Sequence, residues 1–410
     1  MNSMKKNVAW NTLGSVFYCV CQWLITILVV WLDSYESAGN LSLAMTTSSS
    51  FSAIALFSMR NYQVSDVKGE YSQGQYVSSR VITCIAAFIS CAVAALIGNN
   101  GRYEVLCIMA FMLVRVAEAV VDVMHGINQK YMRYDLIGKS YIIRGIFTIA
   151  SFSIGLLVTG ELLLTLIIMA VLNLLAAFLY DCRKTGKLEE IKLNLFQKKV
   201  IQLLKTCLPI VIFTFLLSLE NLIPKQVLQQ QYGERELGIY SSIASPTLVV
   251  QVFASVAFNP FLPKFSEVYY SGDTVKFRSM LHKTYAVLAG MCAVVTVGAA
   301  VVGKLGLQIL FGKDILQYYN LFMPIVWCTI LTAIIWIISA ILIALRKIKW
   351  LIVGMIIDFG LCLALVSPLV ERYNKNGVSI VQLIVMALYI LFMIIVCECS
   401  ADKVHNEENL

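Results

Sequence analysis

Charge is what this sequence has least of. Only 14% of its 410 residues are Asp, Glu, Lys or Arg, where a soluble domain carries about 25%. Without that charge a chain of this length cannot cover soluble surfaces, which excludes soluble enzymes, nucleic-acid binders and secreted disulfide scaffolds. Catalytic patterns are missing as well. The three His (His125, His282, His405) form no HExxH, and neither GxxxxGK[ST] nor GxGxxG occurs, so there is no ATP-driven pump domain. The longest outer loop, 223–238, is too short to hold an extracellular active site. Proline is absent from the first half: all seven lie in the second, and Pro209, Pro246, Pro324 and Pro368 fall within or at the ends of apolar runs. Proline kinks helices, so the second half is the better candidate for bending.

What the chain has is apolar sequence. Hydrophobic residues make up 59%, and the fold class that follows is an all-α polytopic membrane protein. One membrane-spanning helix takes about 20 apolar residues. Apolar windows predict twelve spans, at 11–32, 41–59, 81–98, 104–124, 141–158, 162–180, 201–222, 239–259, 284–302, 321–345, 350–370 and 378–397. The basic N-terminal stretch precedes a run too long for a signal-peptide core and is read as the retained first span. Most of the twelve Cys, Cys84, Cys91 and Cys328 among them, fall inside apolar runs, where a free Cys behaves as a small hydrophobe. The CxC of Cys397 and Cys399 reads as an inner helix end.

The positive-inside rule tests the map. With the N-terminus inside, inner segments hold 23 Lys/Arg and outer loops seven, while Arg115 and Arg144 stay inside spans. Both termini are therefore expected in the cytoplasm. The longest inner linker, 181–200, divides the chain into two six-helix lobes, 1–190 and 191–410. AGNLSLA at 38–44 aligns with LGIYSSI at 237–243, and the same offset sets Arg60-Asn61 over Asn259-Pro260. Such a parallel repeat implies a pseudo-twofold axis along the membrane normal.

Charge inside the membrane is costly enough to suggest function. Arg115, Glu118 and Asp122 on the fourth span fall within about 60° of one another at helical spacing. That stripe either faces a cavity that receives substrate or is a self-neutralised Arg115–Glu118 network. Arg144 enters the fifth span near its inner end, either snorkelling or pairing with Asp122 or a substrate phosphate. Asp358 lies alone in the eleventh span and is either protonated, hydrogen-bonded to another helix, or a coupling site for a cation. Glu220 and Lys225, at the outer end of the seventh span, read as an interfacial ion pair, with Glu220 also a coupling candidate. Polar residues on the first two spans (Asn11, Ser15, Tyr18, Gln22, Thr26, then Thr46, Ser49 and Ser50) either line a wet cavity or pack helices.

Several stretches are familiar. KNVAWNTLGSVFY at the start, LVVWLDSYESAGNLSLA, and above all RNYQVSDVKGEYSQGQY after the second span resemble the bacterial polysaccharide-biosynthesis flippases of the Wzx type. Their superfamily also holds the MATE transporters and the lipid II flippases. LENLIPKQVLQQQYGERELGIYSSIASP resembles that superfamily's charged residue followed by a Gly-x-Tyr start to the eighth span. The resemblance implies a MATE-like fold of twelve helices in two lobes. It also implies a transporter rather than an enzyme, one that carries an undecaprenyl-diphosphate-linked oligosaccharide to the outer leaflet of the plasma membrane. The implied partners are that lipid, membrane lipids, the polysaccharide polymerase and other assembly proteins, with no nucleic acid. No cofactor is implied; coupling to H+ or Na+ stays open. Substrate-binding candidates are Arg115, Arg144, Arg60, Asn11 and Gln22; ion-coupling candidates are Asp358, Glu118, Asp122 and Glu220. Two rivals remain. A MATE-like exporter of small organic molecules needs a more apolar cavity with a dominant carboxylate such as Asp358. A membrane glycosyltransferase or polymerase needs a large catalytic outer loop. A major-facilitator transporter would carry GxxxDRxGRR in 60–80, which is missing.

Overall fold

The computed structural model describes residues 2–66, 69–195, 197–247, 265, 267–269 and 271–407. Among them the protein is helical, with no strand. In lipid this is required, because a helix satisfies its own backbone polar groups. Ten of the described helical segments are long and apolar enough to cross a membrane. The fourth expected span is a helix too, Arg102–Lys130, and its charges alone set it apart from those ten. The eighth expected span begins in the helix Glu234–Ala244, and its remainder, with Asn259-Pro260 of the repeat, lies outside the described residues.

The chain forms two compact units, Met1–Ser218 and Leu219–Leu410. The division falls within the helix Lys198–Tyr232, downstream of the 181–200 linker.

Unit 1 contains α1 (Asn2–Leu32), α2 (Tyr35–Leu56), α3 (Met59–Ser65), α4 (Gln73–Ile97), α5 (Arg102–Lys130), α6 (Tyr134–Thr159), α7 (Leu162–Ala176) and the first part of α8 (Lys198–Tyr232). Helix α5 is the central one, packed against α2, α4 and α7. Its apolar flank (Phe111, Val114, Ala117, Val121) is buried, and its charged stripe therefore meets other helices rather than lipid. Helix α1 runs along α6, and glycine permits the approach. A Cβ on Gly138 would collide with the Trp10 carbonyl oxygen, and one on Gly14 with that of Gly138. Helices in membranes associate through such small-residue contacts.

Unit 2 contains α9 (Glu234–Ala244), α10 (Thr274–Phe311), α11 (Phe322–Ala344), α12 (Ile348–Tyr373) and α13 (Lys375–Glu407). Helix α13 packs against α12, α11 and α10. Pro246 sits in the 3₁₀ turn that follows α9, and Pro368 lies inside α12.

The segment after α2 explains the most specific stretch of the sequence. Phe57 and Ser58 both take left-handed backbone conformations, φ 52° and 49°, unusual for residues with a Cβ. They end α2 and start α3, so residues 60–65, expected in a loop, are helical. Gln63 is fully buried and donates to Gln73 Oε1 at 2.8 Å and to the Val123 carbonyl at 3.3 Å. Asp66 accepts the backbone N–H groups of Glu70 (2.9 Å) and Tyr71 (3.0 Å) and the Tyr76 hydroxyl (3.1 Å). Burial alone would push the Asp66 carboxyl up, but these three donors outweigh it and hold the group below its ordinary value. Tyr71, Tyr76, Val123, Ile127 and Leu203 close an apolar core around the segment.

Candidate functional site

The charged stripe of α5 meets two sets of partners, one helical turn apart. The first is centred on Glu118. Its Oε2 lies 2.6 Å from Arg115 Nη1, and its Oε1 accepts the Tyr18 hydroxyl at 2.5 Å and lies 3.7 Å from Arg144 Nη2. Arg144 also donates to the Tyr18 oxygen at 3.0 Å and stacks over the Tyr18 ring, 4.9 Å from its centre. Gln22 donates to the Tyr18 oxygen at 2.8 Å, and Arg115 to Ser49 Oγ at 2.9 Å. Helices α1, α5 and α6 thus converge on one carboxylate, and α2 joins them through Arg115.

The second set is centred on Asp122. Its Oδ1 lies 3.3 Å from Arg60 Nη1 on α3 and its Oδ2 lies 2.8 Å from Arg80 Nη2 on α4. Arg60 also donates to Gln129 at 3.3 Å. Arg80 is fully buried and donates to the Ala55 carbonyl, which Thr83 Oγ1 also reaches at 2.9 Å.

These contacts correct several expectations. Arg144 does not snorkel and does not pair with Asp122; it is 2% exposed and belongs to the Glu118 set. Arg115 pairs with Glu118 as one reading had it, yet Glu118 is shared with a second guanidinium, so the network is not self-neutralised. Arg80 falls just before the expected third span, 81–98, whereas the capped helix α4 begins at Gln73 and already includes it. Gln22 joins the site. Asn11 lies half-buried on α1 about two turns before Tyr18, apart from these contacts. Of the other polar residues, Ser15 and Thr26 bond their own helix backbone, and Ser50 bonds the Thr46 and Ser218 carbonyls.

Sequence reasoning also missed His125 and Asp181. Their side chains are 1% exposed and 3.4 Å apart, Nε2 to Oδ1, where the helix after α7 opens into a π-helical turn, Ala177–Cys182. Both fall just past the ends of the expected spans 104–124 and 162–180, so the sequence reading places them in loops. No periodicity signals a π turn.

In unit 2, Glu220 on α8 and Asp358 on α12 lie close enough for their carboxyl groups to influence each other. Glu220 is 0% and Asp358 2% exposed. Among the described residues no further donor reaches either carboxyl. The interfacial Glu220–Lys225 pair is therefore replaced by a buried dyad. Two ionised carboxylates so placed would repel strongly in a low dielectric unless a proton or a cation offset one of the charges. A cavity of about 70 Å³, lined by Gly354, Asp358, Tyr389 and Phe392 among others, opens beside Asp358.

Residues 71–320 match the family described as polysaccharide biosynthesis protein. The chain belongs to that family. It is 26% identical over 317 residues to the capsular polysaccharide biosynthesis protein CapF of Staphylococcus aureus, covering 76% of this chain and 78% of CapF. Solved structures show the fold of this family member. The lipid II flippase MurJ in an inward closed conformation matches with a TM-score of 0.72 at 12% identity, covering 96% of this chain and 89% of MurJ. An inward-facing multidrug resistance MATE transporter matches with a TM-score of 0.66 at 10% identity, over 96% and 98% of the two chains. The protein is therefore a multi-pass membrane protein of MATE-like fold within polysaccharide biosynthesis.

Proposed function

We propose that this protein moves an undecaprenyl-diphosphate-linked oligosaccharide from the cytoplasmic to the outer leaflet of the bacterial plasma membrane, by alternating access, for surface polysaccharide assembly. One observation carries the reading: in a polysaccharide-biosynthesis family member, two guanidinium groups gather inside an apolar helical unit around a single carboxylate. A diphosphate head group crossing a bilayer needs such a path, because its charge is costly in hydrocarbon. Arg suits phosphate, since its planar fork offers two parallel N–H donors. Arg115 and Arg60 receive the head group, Arg144 holds Glu118 beside it, and Gln22 borders it. The fold shared with MurJ, a lipid II flippase by name, supports the same reading. The Lys/Arg bias orients both termini toward the cytoplasm, where the lipid-linked oligosaccharide is made; the polymerase and other assembly proteins act on the product outside.

The Glu220–Asp358 dyad is the coupling site in this scheme, taking up H+ or Na+. The same dyad favours a second reading, a cation-coupled exporter of small organic molecules. A clean deletion separates the two. The flippase reading predicts loss of surface polysaccharide, with lipid-linked repeat units accumulating on the cytoplasmic leaflet. Normal polysaccharide in a strain without a second flippase, together with heightened drug sensitivity, would favour the exporter.

A further inference from the structure

The two sets of contacts on α5 repeat one pattern. Each is a carboxylate bridging two arginines through its two oxygens: Arg60–Asp122–Arg80 and Arg115–Glu118–Arg144. In each, one arginine is buried (Arg80 1%, Arg144 2%) and the other half-buried (Arg60 27%, Arg115 18%). The centres are four residues apart on one helix, about 6 Å along its axis. Donors are in surplus. The Nε groups of Arg80, Arg115 and Arg144 have no acceptor, and Arg60 makes two contacts of 3.3 Å. Each set holds two guanidinium groups for one carboxyl group.

We propose that these two sets are successive diphosphate-binding stations, in which phosphate oxygens displace Asp122 from Arg60 and then Glu118 from Arg115. The inference rests on the flippase reading for its direction, but the stations themselves rest on the geometry. A buried guanidinium needs a counter-charge when no ligand is bound, and the carboxylate supplies it. A diphosphate carries more negative charge than one carboxylate and offers paired oxygens to the guanidinium fork. The buried arginine keeps hold of the displaced carboxylate, while the half-buried one is accessible to the incoming anion. Because Asp122 lies nearer the Lys130 end of α5, which the charge bias assigns to the cytoplasm, its station is met first. The shared carboxylates keep either station from holding the anion too tightly to pass it on.

Binding of farnesyl diphosphate to the purified full-length protein in detergent, measured by calorimetry with farnesol as the uncharged control, tests this. Arg60→Gln and Arg115→Gln should each weaken binding about tenfold, the loss of one charge-assisted contact. Asp122→Asn and Glu118→Gln should tighten it, because an amide competes less well for the guanidinium, and should slow transport. Arg133→Gln, outside both sets, should leave affinity unchanged. If the arginine variants fail to accumulate, the two amide variants decide, since they keep every arginine. A purely structural role predicts that the amide variants lose thermal stability and gain no affinity, and that result overturns the stations. Polysaccharide loss on deletion without farnesyl diphosphate binding would overturn the stations and leave the flippase reading standing. Tighter binding by the amide variants alongside normal polysaccharide in the deletion strain would do the reverse.

Discussion

Arg80 donates through Nη1 to the Ala55 carbonyl, the acceptor left without its helical partner where α2 ends at Phe57 and Ser58. The other nitrogen of the same guanidinium holds Asp122 on the central helix. One buried side chain therefore fixes the α2–α3 break and the charged stripe of α5 together.

Removing it should be costly. Arg80→Ala leaves Asp122 with Arg60 alone and frees a buried carbonyl that Thr83 only partly satisfies. Breaking a buried pair in this way costs about 3–5 kcal/mol. Thermal unfolding in detergent should show a large drop, and membrane levels of the protein should fall. Arg80→Lys should recover part of the loss, because one ammonium cannot serve the carbonyl and the carboxylate with the same geometry.

Arg115 should behave differently. Glu118 keeps Arg144 and the Tyr18 hydroxyl when Arg115 is replaced, so it is not orphaned. Arg115→Ala should reach the membrane at near-normal level while translocation falls at least tenfold, the loss of one charge-assisted contact of roughly 1.5–3 kcal/mol. The double variant Arg115→Ala with Glu118→Ala should stay inactive. Recovery of transport in the double variant would mean that Arg115 serves only to neutralise Glu118.

Asp66 gives a pH dependence outside the membrane. Its carboxyl is held below the ordinary value by the N–H groups of Tyr71 and Glu70 and the Tyr76 hydroxyl. A lowered folded-state pKa contributes stability above the unfolded value, and that contribution disappears as pH falls through the folded value. Wild-type protein should therefore lose thermal stability as pH drops below about 4, the range in which an ordinary Asp titrates. Asp66→Asn should be less stable at neutral pH, and its melting temperature should fall less over that acid range.

The legible parts of this protein were those written within a single helix. Arg115, Glu118 and Asp122 share a stripe because spacing alone puts them there, and a charged stripe on an otherwise apolar helix must find partners. Membrane class and the positions of the described spans followed from composition for the same reason. What could not be read was which helices supply the partners. Arg80 looked like a loop cation because nothing in the sequence says that α4 begins at Gln73. Glu220 and Asp358 are far apart in sequence, and each has a plausible local reading, so only the packing of α8 against α12 pairs them. The Phe57-Ser58 break carries no glycine or proline to announce it.

The dyad makes a prediction of its own. Glu220→Gln and Asp358→Asn each replace one carboxyl of this buried pair with an amide of the same shape. Each variant should be as thermally stable as wild type or more so. In proteoliposomes, each should abolish the dependence of transport on an imposed H+ or Na+ gradient. Retained gradient dependence in both would move coupling elsewhere.

The central claim is that the protein carries a lipid diphosphate-linked oligosaccharide across the bilayer through the arginines of unit 1. Proteoliposomes holding a fluorescent undecaprenyl-diphosphate oligosaccharide test it most directly, with a membrane-impermeant quencher reporting which leaflet the label occupies. Wild-type protein should expose the inner-leaflet pool to the quencher over time, and Arg115→Ala at equal protein density should leave that pool protected. Equal exposure with wild type, with Arg115→Ala and without protein would contradict the account.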